Sequence, residues 1–176
     1  MIIDDNFLNE ESINFINEIV LSEKFPFCLQ QSTVNGDDQG GFFSHGVVLR
    51  PEACDGVSKV VSEYNKEFFK IFELFTNKHN IAHSQMYRCS VNLTFPTGNI
   101  ACPIHRDHDF EHKQLLVYLN DCADKESKTV ILDENKVKIT NEICPKQYRG
   151  ICFDSSPHFQ YFPKKGIRIV VVYTFI

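Results

Sequence analysis

The stretch Pro103-Ile104-His105-Arg106-Asp107-His108-Asp109 places an imidazole and a carboxylate two positions apart. In extended backbone, residues i and i+2 project to the same face. His105 and Asp107 can therefore offer one nitrogen and one oxygen to a single metal ion. Most His-x-Asp pairs are solvated loop residues, so this interpretation depends on what the rest of the chain supplies.

A second histidine later in the chain completes a possible ligand set. His158, in Asp154-Ser155-Ser156-Pro157-His158, is the candidate, and Arg168 follows at the start of the last apolar run. Two histidines and one carboxylate on one face form the metal site of non-haem Fe(II) oxygenases, which leaves the other positions on the metal open. A zinc site of Cys102, His105 and His108 is conceivable, but its spacing matches no closed structural zinc pattern.

Two other histidines lie close to the first pair. His108 and His112 have the wrong offsets to share a face with His105 and Asp107. We expect them behind the metal ligands or at the surface.

The length and charge of the chain restrict the class of protein. A chain of 176 residues suits one domain, here 1–176, and 43% hydrophobic residues with sixteen Phe can fill a sizeable core. The net charge is −5 and the sequence has no basic run. Neither a nucleic acid nor an acidic membrane is therefore indicated as a partner.

The cysteines and the first residues bear on the cellular compartment. Seven cysteines are an odd number, and no CxxC motif is present. The start, Met1-Ile2-Ile3-Asp4-Asp5, lacks the basic region and the apolar run of a signal peptide. No apolar run approaches the roughly 18 residues of a membrane span. We therefore expect reduced thiols and a cytoplasmic protein.

Two amphipathic helices are predicted before the strand-rich part. The first begins after Asn9, a favourable N-cap, with Glu10 and Glu11 in its first turn, and ends near Ser22. The second carries an apolar stripe at helical spacing, and Asp55 is its expected cap. The stripe consists of Val57, Val60, Val61, Tyr64, Phe68, Ile71, Phe72 and Phe75. We expect this helix to pack on the outer face of a sheet.

Short runs with strand character occupy most of the remaining sequence. The predicted strands are 1–7, 25–29, 42–49, 86–95, 113–120, 129–132, 136–140, 150–154 and 168–175. In the last strand Arg168, Val170, Val172 and Thr174 share a face. Helices followed by many short strands predict an α+β fold in which the strands close into a cupin-like jelly roll. The loop 32–41 and the turn 96–102 are expected at the rim of such a barrel.

The sequence around the candidate ligands resembles a known family. His105-Arg106-Asp107-His108-Asp109-Phe110-Glu111-His112-Lys113 is similar to a signature of the form H-x-D-H-x-F-x-H-K, and Tyr118-Leu119-Asn120-Asp121 follows it. Both are similar to the 2-oxoglutarate- and Fe(II)-dependent dioxygenases, in particular the small prolyl-4-hydroxylase-like branch of bacteria and phages. The resemblance covers roughly Arg88 to Phe175. It implies a double-stranded β-helix, the jelly-roll variant of this family, with two or so N-terminal helices on one sheet.

The resemblance also implies a site and a reaction. His105, Asp107 and His158 would bind Fe(II), with 2-oxoglutarate as co-substrate and ascorbate as a possible reductant. Arg168 would bind the distal carboxylate of 2-oxoglutarate, since a guanidinium can form two parallel hydrogen bonds with it. The expected reaction is hydroxylation of a C–H bond in a protein side chain, such as a prolyl, or in a small molecule. Succinate and CO2 would be the co-products.

Further residues are candidates for contacts with 2-oxoglutarate. Tyr118 shares a strand face with Leu116, and Thr129 stands where the family often has a hydroxyl residue. Asn92 and Arg88 lie on one face of their strand and are candidates to line the pocket. Each also has an ordinary structural explanation as a core or strand residue.

Two other interpretations stay open at this point. A non-catalytic, cupin-like metal or ligand-binding module would keep the barrel, yet it would need neither a complete ligand set nor Arg168. A zinc or manganese cupin without 2-oxoglutarate would bring more histidines to the metal. The substrate and the oligomeric state carry no signal in the sequence.

Overall fold

The computed structural model describes residues 1–34 and 40–176. The predicted loop 32–41 therefore lies partly outside the described residues. The elements are, in chain order, β1 Ile2–Asp4, α1 Glu10–Phe15 with a π-helical turn Ile16–Val20, β2 Cys28–Gln30, β3 Phe42–Leu49, a 3-10 turn Pro51–Ala53, β4 Lys59–Val60, α2 Asn65–Lys78, β5 Met86–Thr94, β6 Lys113–Tyr118, β7 Thr129–Leu132, β8 Ile139–Ile143, β9 Gly150–Asp154, β10 His158–Gln160 and β11 Arg168–Phe175.

The strands form a large and a small antiparallel sheet. The large sheet has the order β1-β9-β6-β11-β5-β3-β2, with β4 paired to β3, and the small sheet has the order β10-β7-β8. Most neighbouring strands in the large sheet are distant in sequence. The last strand of the chain, β11, therefore lies in the middle of the sheet. Together with two helices, this is the predicted α+β class.

Strand β11 separates two apolar layers. Ile169, Val171, Tyr173 and Phe175 belong to the core between the large sheet and the helices, and their neighbours Val170 and Val172 belong to the core between the two sheets. Successive strand residues point to opposite faces. Arg168 and Thr174 lie on the same face of β11 as Val170 and Val172. Their polar side chains are therefore directed between the two sheets.

Helix α2 covers the outer face of the large sheet. Its buried residues Phe68, Ile71, Phe72 and Phe75 lie three, one and three positions apart and so form one stripe. The hydroxyl of Tyr173 donates to the carbonyl of Phe68 at 2.9 Å, which ties the helix to β11. Burying each such side chain contributes roughly 1.5–3 kcal/mol. The predicted packing of helices on one sheet is confirmed.

The first helix begins as the sequence predicts. The side chain of Asn9 accepts a hydrogen bond from the amide of Ser12 at 2.9 Å. The helical turns end at Val20, close to the predicted Ser22.

The predicted start of the second helix is wrong. Asp55 and Gly56 have φ angles of 53° and 86°, which reverse the chain before a helix can form. Lys59–Val60 then pairs with β3, and the valines at 57, 60 and 61 are exposed. Their β-branched side chains favour extended backbone. The helix therefore begins only at Asn65.

Several predicted strands also differ from the structure. The 25–29 strand is shifted to Cys28–Gln30, and the 136–140 strand is shifted to Ile139–Ile143. The hairpin turn is longer than expected because the side chain of Asp133 accepts the amides of Val137 and Lys138. Strand β10 was not predicted. No helix within residues 1–34 and 40–176 has the length and apolar character to cross a membrane.

Candidate metal centre

A cavity of about 570 Å³ opens between the two sheets. Side chains from β5, β6 and β11 line it on one side, and side chains from β7 and β10 line it on the other. His105, Asp107 and His158 stand in its wall, and Arg168 is part of the same wall. The candidate ligands from distant parts of the sequence therefore meet in one cavity.

Backbone pairing brings the two histidines together. The amide of His105 donates to the carbonyl of His158 at 3.0 Å, and the amide of His158 donates back at 2.9 Å. One ligand atom each from His105, Asp107 and His158 lie within 4.8 Å of one another. Within residues 1–34 and 40–176, no other group of three such side chains meets this condition.

Each imidazole is oriented by a backbone carbonyl. Nδ1 of His105 lies 2.9 Å from the carbonyl oxygen of Pro103, and Nδ1 of His158 lies 3.0 Å from that of Ser156. A carbonyl only accepts hydrogen bonds, so Nδ1 carries the proton and Nε2 keeps its lone pair for a metal. Burial, aided by the neighbouring His105, lowers the pKa of His158 to about 4, which keeps its ring neutral at pH 7.

Two arginines hold the carboxylate. Nη1 of Arg88 lies 2.5 Å from Oδ1 of Asp107, and Nη2 of Arg50 lies 3.4 Å from the same oxygen. The other oxygen, Oδ2, lies 3.6 Å from Nε2 of His158. Burial alone would raise the pKa of Asp107, but the positive charge of Arg88 and its neighbours lowers it overall. The carboxylate of Asp107 is therefore ionised at neutral pH.

Arg168 lies deep in the cavity among neutral groups. It is 1% exposed, and its Nη2 donates to Oγ1 of Thr129 at 2.9 Å while its Nη1 donates to the amide oxygen of Gln160. The hydroxyl of Tyr118 lies 2.7 Å from Oγ1 of Thr129, and its ring centroid lies 5.1 Å from the guanidinium carbon. Three of the predicted residues thus form one cluster.

Within the described part of the chain, no acidic side chain balances the charge of this cluster. Among the described residues no carboxylate lies within ion-pair distance of Arg168, and its Nε is buried without a hydrogen-bond partner. A buried cation without a counter-charge is costly. An anionic ligand with a carboxylate would supply both the charge and the missing acceptor.

No family model matches this sequence, and no curated protein does. Solved structures, in contrast, match the chain over most of its length. An oxidoreductase of the 2OG-Fe(II) oxygenase family from Burkholderia pseudomallei superposes with a TM-score of 0.75 at 12% identity, covering 96% of this chain and 80% of that one. A prolyl hydroxylase from Trichoplax adhaerens, solved with a hypoxia inducible factor peptide fragment, gives 0.68 at 19% identity, covering 99% and 82%. The epimerase SnoN from nogalamycin biosynthesis gives 0.66 at 8% identity, covering 99% and 76%.

The chain has the fold of the 2OG-Fe(II) oxygenases. The predicted double-stranded β-helix is confirmed, and so is the resemblance at the level of the fold. In this oxygenase fold the helices pack on the outer face of the large sheet. The small sheet covers the inner face of the large sheet and closes the cavity between them.

Other predicted residues fall in or near the same cavity. Asn92 lines the cavity and accepts a hydrogen bond from Ser90 at 2.9 Å, but no hydrogen bond joins it to the Arg168 cluster among the described residues. Cys102 and His108 also line the cavity, without forming a three-ligand site with His105. Of the predicted rim, Thr33 and Val34 reach the cavity, and 35–39 lie outside the described residues.

The two additional histidines, His108 and His112, are buried next to each other. His108 is buried, with Nδ1 at 2.9 Å from Oε1 of Glu52 and Nε2 at 2.8 Å from Oγ1 of Thr174. His112 is buried at 5.0 Å from His108, measured between ring centroids. His108 therefore links the loop that carries His105 and Asp107 to the last strand.

Sequence reasoning missed two cavity residues that touch predicted ones. Gln160 shares a strand face with His158, two positions away, so a predicted strand at this point would have revealed it. Arg50 gives no such signal because it reaches Asp107 only through the fold.

Proposed function

We propose that this protein is a 2-oxoglutarate- and Fe(II)-dependent oxygenase that hydroxylates a C–H bond. The observation that carries the proposal is one cavity in which His105, Asp107 and His158 converge and in which Arg168 has no counter-charge among residues 1–34 and 40–176. The overall reaction consumes 2-oxoglutarate, O2 and the substrate, and yields succinate, CO2 and the hydroxylated product.

His105, Asp107 and His158 would hold the iron. Two imidazole nitrogens and one carboxylate oxygen suit Fe(II) and leave positions open on the metal. Bound iron would supply the coupling of 2-oxoglutarate decarboxylation to C–H hydroxylation. The chain's own part is to orient the imidazoles through Pro103 and Ser156 and to keep Asp107 and His158 buried from bulk water.

Arg168 would bind the distal carboxylate of 2-oxoglutarate. Its guanidinium is held by Thr129 and Gln160, so it is preorganised for two parallel hydrogen bonds. The hydroxyl of Tyr118 lies beside Thr129 and is within the same cluster. Asn92, on the same wall, would contact the co-substrate or the substrate rather than the guanidinium.

The substrate would be a protein side chain, such as a prolyl, or a small molecule. The Trichoplax prolyl hydroxylase was solved with a peptide, which favours a protein substrate. We further propose that 1–176 acts as a single domain in the cytoplasm, with ascorbate as reductant and without nucleic-acid or membrane partners. The buried cysteines Cys89, Cys122 and Cys152 are free thiols, in keeping with a reducing compartment.

Release of succinate from 2-oxoglutarate, with Fe(II) and ascorbate, tests the proposal. We expect release by the wild-type chain and none after Asp107→Ala. Wild-type protein that binds Mn(II) but neither binds nor turns over 2-oxoglutarate would instead be a metal-binding cupin-like module. A zinc or manganese cupin is disfavoured because Arg168 would have no anion to bind.

A further inference from the structure

The two oxygens of Asp107 have different surroundings. Oδ1 takes the hydrogen bond from Arg88 at 2.5 Å and the longer contact from Arg50 at 3.4 Å. Oδ2 takes neither and faces Nε2 of His158 at 3.6 Å. The arginines therefore fix the rotation of the carboxylate about its last bond, and they leave one oxygen directed at the imidazole of His158.

Arg88 is the better placed of the two arginines to set this rotation. It lies on β5, where it pairs with Thr174 of β11, and the next residue, Cys89, pairs with both β11 and β3. Its side chain is 16% exposed, and that of Arg50 is 35% exposed. Arg50 also divides its hydrogen bonds between the carboxylate and the backbone carbonyl of Asp107. A short bond from a rigid strand orients a ligand more tightly than a long bond from a turn.

The positive charge of Arg88 and Arg50 opposes the binding of a metal ion by Asp107. A guanidinium beside a metal-binding carboxylate repels a divalent cation and competes with it for the same negative charge. Charge alone therefore predicts tighter metal binding when an arginine is removed. Orientation predicts the reverse, because a released carboxylate must be ordered again before it can bind. Whether metal affinity rises or falls when the arginine is removed therefore separates the effect of charge from the effect of orientation.

We infer that Arg88 is a positioning residue for the metal centre, which holds Oδ1 of Asp107 so that Oδ2 alone faces the ion. The inference rests on the proposed function, in which Asp107 is a metal ligand. One oxygen from the carboxylate, with two imidazoles, would occupy three positions on a bound metal. Both oxygens would occupy a fourth and reduce the room for a co-substrate that chelates.

Calorimetric titration of the metal-free protein with Mn(II), without 2-oxoglutarate, tests the inference. Arg88→Met keeps the length of the side chain and removes its charge and its donors. The matched control is Arg106→Met, since Arg106 adjoins both ligands in sequence but pairs with Glu134. We expect the Mn(II) Kd to rise about tenfold or more in Arg88→Met. In Arg106→Met it should stay unchanged or fall.

A Kd for Arg88→Met that equals or lies below that of Arg106→Met would overturn the inference. Arg88→Lys restores a charged donor and should recover part of the lost affinity, so equal losses in the two Arg88 variants would also contradict it. If Arg88→Met has no cooperative thermal transition, Arg88→Lys is compared with Arg106→Lys, with the same direction expected. Absence of Mn(II) binding by the wild-type chain would refute the proposed function instead.

Discussion

Nε2 of His158 lies 3.6 Å from Oδ2 of Asp107, although one residue starts strand β10 and the other belongs to the loop before β6. The backbone pairing of His158 with His105 produces this approach. The candidate ligand set is thereby assembled from two segments that are distant in sequence and joined by this bridge.

Loss of any one ligand should remove metal binding. In His158→Ala the remaining imidazole and carboxylate cannot hold the ion, and we expect Mn(II) affinity to fall more than about 100-fold, with no succinate release. His105→Ala should behave alike. His83→Ala is the control, because His83 is exposed and packs on Phe72 outside the cavity. Titration with Mn(II) and assay of succinate check the result, and an unchanged affinity in His158→Ala would remove it from the site.

Arg168 should act on the co-substrate and leave the metal unaffected. Arg168→Ala removes the buried guanidinium that would pair with the distal carboxylate, so we expect the KM for 2-oxoglutarate to rise at least about tenfold. The Mn(II) Kd should stay within about twofold, because Arg168 makes no hydrogen bond to the three ligands. Steady-state assays over a range of 2-oxoglutarate concentrations measure the first effect. An unchanged KM would refute the assigned role.

A carboxylate placed beside Arg168 should compete with the co-substrate. Gln160→Glu keeps the shape of the side chain and supplies an internal counter-charge where the amide oxygen now accepts. We expect the Kd of 2-oxoglutarate for Mn(II)-loaded protein to rise about tenfold or more. Gln160→Leu removes the acceptor without adding charge and should have a smaller effect. Equal affinities in wild type and Gln160→Glu would show that Arg168 is not the anion site.

Gly150 should be intolerant of a side chain for reasons of packing alone. A Cβ at this position would lie 2.7 Å from the ring of Phe75 and 2.9 Å from that of Phe7. Both rings are buried between the helices and the sheet, so they cannot move freely. We expect Gly150→Ala to lower the free energy of unfolding by about 1–3 kcal/mol.

Gly41→Ala is the control for this substitution. A Cβ there would lie at an ordinary 3.4 Å from the carbonyl oxygen of Gln30. Urea unfolding should show a change below about 0.5 kcal/mol for the control. Equal stability of the two variants would argue against the close approach of α2 to β9.

The sequence was informative where the signal is local. The period of β11 predicts that Arg168 points between the sheets, and the offset of two positions predicts that His105 and Asp107 can share an ion. The stripe from Phe68 to Phe75 predicts a helix on the sheet. These inferences need only the spacing of neighbouring residues.

Other features depend on contacts between distant segments. Val57 and Val60 fit the helical stripe predicted from the sequence. In the structure Asp55 and Gly56 reverse the chain, and Lys59–Val60 pairs with β3 as a strand. Strand β10 is too short to produce a period, and it forms because β7 pairs with it. Arg50 reaches Asp107 across the fold, so no local pattern could indicate it.

Calorimetric titration of 2-oxoglutarate into the protein, with and without Mn(II), tests the central claim most directly. One molecule should bind per wild-type chain in the presence of Mn(II), and binding should be lost in His158→Ala and weakened in Arg168→Ala. Binding of 2-oxoglutarate that does not depend on the metal, or no binding to the Mn(II)-loaded wild-type chain, would contradict a site built from these three ligands and this guanidinium.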